Sequence, residues 1–148
     1  MDISTVLNIK NIKLNMIAKT RNEAIEELTD LLVKDGSIIN KEEFIRDVLI
    51  REKQGSTGFE NHIAIPHGKS SGVTRTALAI GRVKHEIPWE TMDGSDVRCI
   101  ILFAVCLEDQ NTNHIRLLAH VSSSLADEDI IAKLLVEKDP QKIIELFR

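Results

Sequence analysis

The sequence predicts an α/β fold: a three-layer-like sandwich in which a mixed central β-sheet is flanked by about five α-helices. Three observations predict it. Segments with apolar residues at helical spacing alternate with shorter apolar runs along the chain. Four helical segments are preceded by good capping residues, Thr20, Asn40, Asp127 and Asp139. The run Cys99–Leu107 is apolar on both faces, as a central strand covered on both sides must be. Residues 1–148 read as one domain, because 148 residues suit an ordinary domain and no linker, internal repeat or low-complexity stretch divides them.

The elements follow in chain order. Thr20-Arg21-Asn22-Glu23 is a capping box, in which the Thr20 hydroxyl accepts from the amide three residues on and Glu23 reaches back. Behind it Ala24, Ile25, Leu28, Leu31 and Leu32 recur at helical spacing, and Gly36 is a plausible stop. Asn40 caps a second helix with Phe44, Ile45, Val48 and Leu49 as its buried stripe, and Ile50-Arg51-Glu52 lies near its end. Gln54-Gly55-Ser56-Thr57-Gly58 reads as a loop, and Ile63–Ile65 as a short strand that Pro66 terminates. Thr76–Glu86 reads as a strand, Pro88–Ser95 as a turn region around Asp93-Gly94, and Cys99–Leu107 as the central strand. After the polar loop Glu108-Asp109-Gln110-Asn111, a third helix opens around Asn113 and carries Leu118, Val121 and Leu125. Asp127 begins a fourth, with Ile131, Leu134 and Leu135 inward. Asp139-Pro140 stops it and starts a fifth, since proline is welcome at the first helical position; Ile143, Ile144 and Phe147 face the core.

Composition removes several function classes. Hydrophobic residues make up 43% of the chain and charged ones 28%, the balance of a chain that buries a real core beneath a solvated surface. Nineteen basic against 23 acidic residues give a net charge of −4, and the basic residues form no long run. With no tyrosine, one tryptophan and four phenylalanines, neither an electrostatic nor a stacking surface for nucleic acid is expected. The longest apolar run, Cys99–Leu107, is far too short to span a bilayer, and Met1-Asp2-Ile3-Ser4 does not start a signal peptide. Cys99 and Cys106 are an odd number of residues apart on one strand, so they face opposite sides and read as buried free thiols of a reducing cytoplasm.

Chemistry centres on Ile63-Ala64-Ile65-Pro66-His67-Gly68-Lys69. Pro66 fixes the chain direction and removes an amide donor, and Gly68 permits close approach, so His67 is displayed at the open end of a sheet. His114 shares the inward face of residues 118, 121 and 125, in the first turn of a helix that follows a buried strand. Strand ends and helix N-termini are where α/β proteins bind anions. Arg51 precedes the Gly/Ser/Thr loop, where a guanidinium can hold a phosphate with paired donors and Ser56 and Thr57 can add hydroxyls. Each residue alone has a plainer reading: a loop histidine, a partly buried histidine bonded to its loop, a solvated helix-end charge. His62 and His67 lack the spacing of a helical zinc pair; no G-x-S-x-G elbow and no G-x-x-x-x-G-K-[ST] phosphate loop occurs. An imidazole nucleophile facing an anionic group remains.

Arg51-Glu52, Ser56-Thr57-Gly58, Ile63-Ala64-Ile65-Pro66-His67-Gly68 and then Asn113-His114-Ile115-Arg116-Leu117-Leu118 resemble, over nearly the whole chain and in order, the enzyme IIA domain of the fructose/mannitol class. This is a component of the bacterial phosphoenolpyruvate-dependent sugar phosphotransferase system (EIIA type-2). The resemblance implies that His67 is transiently phosphorylated, at Nε2, by the histidine carrier HPr and passes the group to a cysteine of enzyme IIB. His114 and Arg51 would share that site, with Ser56, Thr57 and Gly68 in support. It implies no cofactor and no metal, a cytoplasmic protein, and a membrane enzyme IIC reached only indirectly through IIB, with no direct membrane insertion and no nucleic acid. Pro88-Trp89-Glu90-x-x-Asp93-Gly94-Ser95-Asp96-Val97 is closer to the sugar-specific members than to the nitrogen-type regulatory enzyme IIA, a phosphorylation-dependent signalling protein. Two departures stand out. The approach Phe59-Glu60-Asn61-His62 lacks the glycines common there, with His62, read as a surface residue, where a small residue is usual; the loop before His114 lacks a proline often seen.

Overall fold

The computed structural model describes residues 2–109 and 113–148. Two 3₁₀ turns, Ile3–Thr5 and Ile9–Asn11, open the chain, each capped by the side chain before it, Asp2 and Asn8. They lead into β1 (Ile12–Met16), then α1 (Arg21–Lys34), α2 (Lys41–Gln54), β2 (Ile63–Ala64), β3 (His67–Lys69), β4 (Ala77–Ile87), β5 (Val97–Val105), α3 (Asn113–Ser124), α4 (Glu128–Leu134) and α5 (Pro140–Leu146). The sequence predicts no element before Thr20. The alternation Ile12-Lys13-Leu14-Asn15-Met16 is short, yet it forms β1 because a parallel partner, β4, is available.

The sheet runs β1-β4-β5-β2, with β3 also on β5. It is mixed: β4 and β5 are antiparallel, whereas β1 is parallel to β4 and β2 and β3 are parallel to β5. Side chains alternate across it. Ile100, Leu102, Ala104 and Cys106 pack with Ala24, Ile25, Leu28, Leu32, Phe44 and Val48 of α1 and α2. Cys99, Ile101, Phe103 and Val105 pack with Leu117, Val121, Leu125, Ile131, Leu134, Ile143, Ile144 and Phe147 of α3, α4 and α5. The result is helix, sheet, helix in three layers, with the two thiols on opposite faces.

The capping residues act as their chemistry requires. Thr20 Oγ1 accepts from the Glu23 amide at 3.1 Å, and Glu23 reaches back to the Lys19 amide at 3.0 Å. Asn40 Oδ1 accepts from the Glu43 amide at 3.1 Å. Asp127 caps α4, and Asp139 caps α5, whose first residue is Pro140.

Several strand boundaries differ from the sequence prediction, β2 ending at Ala64, β4 running Ala77–Ile87 and β5 starting at Val97, and two further differences matter more. The central strand ends at Val105, and Leu107 begins a 3₁₀ turn, Leu107–Asp109, with its side chain 42% exposed. Gln110, Asn111 and the rest of the polar loop up to the helix lie outside the described residues, as does the side chain of Asn113. More consequentially, Pro66 does not terminate the strand. It interrupts it, because proline lacks only the donor; its carbonyl still accepts from the Phe103 amide at 2.9 Å. Pairing with β5 then resumes, His67 opposite Phe103, Gly68 opposite Ala104 and Lys69 opposite Val105. Among the described residues, no helix is long and apolar enough to cross a membrane.

Candidate functional site

His67 belongs to an edge strand, and that is why it is reachable. β3 pairs with β5 along one edge, and among the described residues no strand pairs with its other edge. Gly68 points at α2. A Cβ there would lie 2.7 Å from Val48 Cγ2 and 3.2 Å from Phe44 Cε1, so only glycine lets the strand settle against the helix. The close approach that the sequence suggests at Gly68 is thus made by the protein's own α2. That contact brings the last turn of α2, which carries Arg51, beside His67.

The half-buried His67 ring lies on the α3 side of the sheet, its centroid 6.3 Å from that of Phe103 and 5.7 Å from that of His114. Its Nδ1 is 3.1 Å from the carbonyl oxygen of Ile65. A carbonyl only accepts, so Nδ1 carries the proton and Nε2 keeps its lone pair. Burial lowers the His67 pKa from the ordinary value of 6.5; the Ile65 carbonyl and Glu52 act in the opposite direction, and Arg51 and Lys69 with it. His114 is 5% exposed, and its Nδ1 has no hydrogen-bond partner among the described residues. Burial first, then the charge of Lys69 and the neighbouring His67, push it down to about 4. Both imidazoles are therefore neutral at physiological pH.

A cleft of about 370 Å³ gathers Asp47, Ile50, Arg51, Gln54, His67, Gly68, Lys69 and His114. Arg51 closes α2 by donating Nη1 to the Gly55 carbonyl at 2.6 Å, which fixes the guanidinium at the rim. Larger grooves, of about 620 and 670 Å³, lie along α1 and α2 and beside Arg75, but no histidine or cysteine lines them. Nucleophile chemistry, rather than volume, singles out the smaller cleft. Among the described residues, no three His, Cys, Asp or Glu side chains are gathered as metal ligands.

Three of the residues singled out from sequence, His67, His114 and Arg51, meet in this cleft, with Gly68 as its packing hinge. The hydroxyls of Ser56 and Thr57 do not. Ser56 Oγ donates to the Glu90 carbonyl at 2.6 Å and accepts from the Gly58 amide at 3.1 Å. Thr57 is buried, and both its hydroxyl and its amide bond the carboxylate of buried Glu52. Both hydroxyls hold the loop after α2 in shape. His62 lies away from the cleft, with Nδ1 2.9 Å from the Asp96 carbonyl and 3.3 Å from Glu86. Its approach loop manages without glycine: Asn61 and His62 both take left-handed backbone, φ 56° and 67°, held by Asp93 on the Asn61 amide and Ser95 on the His62 amide.

Lys69 is the cationic lining residue besides Arg51, and the sequence assigns it no role. The signal for it is the period of a strand: residues two apart share a face, so a strand continuing past Pro66 puts Lys69 on the side of His67.

The family model described as phosphoenolpyruvate-dependent sugar phosphotransferase system, EIIA 2, matches residues 5–148. The chain is 33% identical over 147 residues to the fructose-specific EIIABC component of the Bacillus subtilis (strain 168) phosphotransferase system, covering 99% of this chain but 23% of that protein. It is 30% identical over 149 residues to a nitrogen regulatory protein of Klebsiella oxytoca, covering 99% of this chain and 90% of that one. Among solved structures, it is similar to a chain in the complex of enzyme IIAMTL with phosphorylated enzyme IIBMTL from Escherichia coli. The TM-score is 0.80 at 26% identity, covering 95% of this chain and 96% of that one.

Proposed function

This chain belongs to the phosphoenolpyruvate-dependent sugar phosphotransferase system EIIA 2 family, and from that premise we propose that it carries a phosphoryl group on Nε2 of His67, taken from phospho-HPr and given to a cysteine of enzyme IIB. One observation supports this reading above the rest. The Nδ1 proton of His67 is engaged by the Ile65 carbonyl, and the opposite nitrogen belongs to a ring that lines a cleft with Arg51 and His114.

The step balances without moving a proton. The Nε2 lone pair attacks phosphorus; the new N–P bond forms as the donor's N–P bond breaks, and that electron pair stays on the donor nitrogen. Passing the group on breaks the Nε2–P bond and forms an S–P bond to the acceptor thiolate. Such transfers need positioning and charge stabilisation above all. Arg51 contributes charge to the phosphoryl oxygens, and the two neutral rings leave Nε2 unprotonated. An open cleft on an edge strand suits a relay, which must release what it accepts.

The test is reconstitution with phosphoenolpyruvate, enzyme I and HPr. The expected result is a single acid-labile phosphoryl group per chain, absent in His67→Ala. No label on the wild-type chain, or equal label on His67→Ala, overturns the reading. The same carrier chemistry would drive sugar uptake of the fructose or mannitol class from the cytoplasm through IIB and the membrane enzyme IIC. The near full-length similarity to a nitrogen regulatory protein supports a second reading, a phosphorylation-dependent signalling protein. Transfer of the label from His67 to fructose- or mannitol-class enzyme IIB supports the first; labelling without onward transfer supports the second.

A further inference from the structure

We infer that Lys69 is a contact residue for the phosphoryl group, the mobile charge that tips the donor–carrier equilibrium toward the phosphorylated chain. This rests on the carrier reading of His67.

The position of Lys69 follows from the backbone. β3 stays paired to β5 through His67, Gly68 and Lys69. Alternate residues project to the same side of a strand, so the Lys69 side chain leaves the sheet on the face that carries His67 and lines the same cleft. The lysine is exposed, and none of the ion pairs among the described residues includes it. Its charge is felt by both rings, since it lowers the pKa of His67 and of His114.

Charge accounting in the cleft makes Lys69 the decisive group. The lining holds three formal charges, on Asp47, Arg51 and Lys69. Arg51 and Asp47 offset each other, and Arg51 already spends one donor on the Gly55 carbonyl. A phosphoryl group brings about −1.5 to −2 charges at pH 7. Without Lys69 that charge would enter a cleft of zero net charge; with Lys69 it meets an uncommitted ammonium on a long, flexible stem. A lysine of that kind follows the phosphoryl oxygens as a point charge and lets them go again, whereas a planar guanidinium grips in a fixed geometry.

The experiment compares wild type, Lys69→Gln and Lys69→Arg in reconstitution with phosphoenolpyruvate, enzyme I and HPr, with His67→Ala as the control. Two readouts are taken: the equilibrium distribution of label between HPr and this chain, and the pH titration of the ³¹P resonance of the phosphorylated chain. Lys69→Gln is expected to shift the distribution toward HPr by about tenfold, the size of one charge-assisted hydrogen bond. It should also raise the midpoint of the ³¹P titration, because a nearby cation favours the dianion. Lys69→Arg should return both readouts most of the way to wild type. A wild-type chain that labels on His67, with Lys69→Gln matching it in both readouts, overturns the inference and leaves the carrier reading intact. A shifted distribution with an unmoved ³¹P midpoint also overturns it, because the lysine then acts on docking and not on the phosphoryl group. A wild-type chain without label overturns the carrier reading, and the inference with it.

Discussion

The Nδ1 of His67 sits 3.1 Å from the carbonyl oxygen of Ile65, two residues back, in the break between β2 and β3. Pro66 between them gives its own carbonyl to the Phe103 amide of β5, and the Ile65 carbonyl accepts the imidazole proton.

Burial of the same ring outweighs that bond and sets the first expectation, for pH. The His67 pKa is lowered, so the neutral, nucleophilic ring persists below the ordinary imidazole value of 6.5. Single-turnover phosphoryl acceptance should stay flat as pH falls from about 8 toward 6.5 and decline only beneath it. A rate already halved above 6.5 would show that the ring is protonated more readily than its burial allows.

Gly68→Ala tests how the site is assembled. The new methyl would press on Val48 Cγ2 at 2.7 Å and on the Val48 backbone nitrogen at 3.3 Å. Backbone cannot yield as a side-chain end can, so β3 must lift from α2. Overpacking of this kind costs about 1–3 kcal/mol, readable as a lower urea midpoint. Transfer should slow as well, because the same contact holds Arg51 beside His67. A variant with wild-type stability and wild-type rate would remove Gly68 from this role.

Arg51→Ala and Ser56→Ala separate the cleft from the loop beneath it. Arg51 lines the cleft, and its loss should slow transfer by about tenfold or more, the cost of one charge-assisted contact. The Ser56 hydroxyl is bonded to the Glu90 carbonyl, and its loss should leave the rate within about twofold while costing about 1 kcal/mol of stability. Thr57→Val should be costlier to the fold, since it strips a hydrogen bond from the buried Glu52 carboxylate. Equal rate losses in Arg51→Ala and Ser56→Ala would mean that the loop moves into the cleft during transfer.

Much of this was legible in the amino-acid order, for physical reasons. The helices could be read because capping and periodicity are local: Thr20, Asn40, Asp127 and Asp139 each satisfy amides two or three residues ahead. The central strand could be read because burial on both faces leaves no polar positions. β1 could not, since five residues with half-buried alternation become a strand only when β4 supplies the partner. Within the site, His67 was conspicuous beside Pro66, and His114 fell on an apolar stripe. The destinations of the Ser56 and Thr57 hydroxyls depend on Glu90, 34 residues away, and on the direction in which Glu52 turns, and local pattern contains neither. Lys69 was hidden by one false step, the ending of the strand at Pro66.

His114 offers the sharpest test of a group kept for chemistry at the expense of the fold. It is 5% exposed, its Nδ1 has no partner among the described residues, and its pKa is pushed down to about 4. The unfolded chain, with its imidazole near 6.5, takes up a proton before the folded chain does. Stability is therefore unaffected by this residue above 6.5, and falls as pH drops from 6.5 toward 4. His114→Leu removes both the titration and the orphaned nitrogen. At neutral pH it should be neutral or stabilising by about 1 kcal/mol, because an unpaired buried polar group is replaced by an apolar one of similar size. Its stability should decline less steeply between 6.5 and 4, because the contribution of His114 is gone while that of His67, whose shift has the same sign, persists. Phosphoryl transfer should nonetheless slow, since the ring 5.7 Å from His67 is gone. Urea denaturation at several pH values, beside single-turnover rates, checks both halves. A leucine variant that is less stable at neutral pH would mean that the histidine is retained for packing instead.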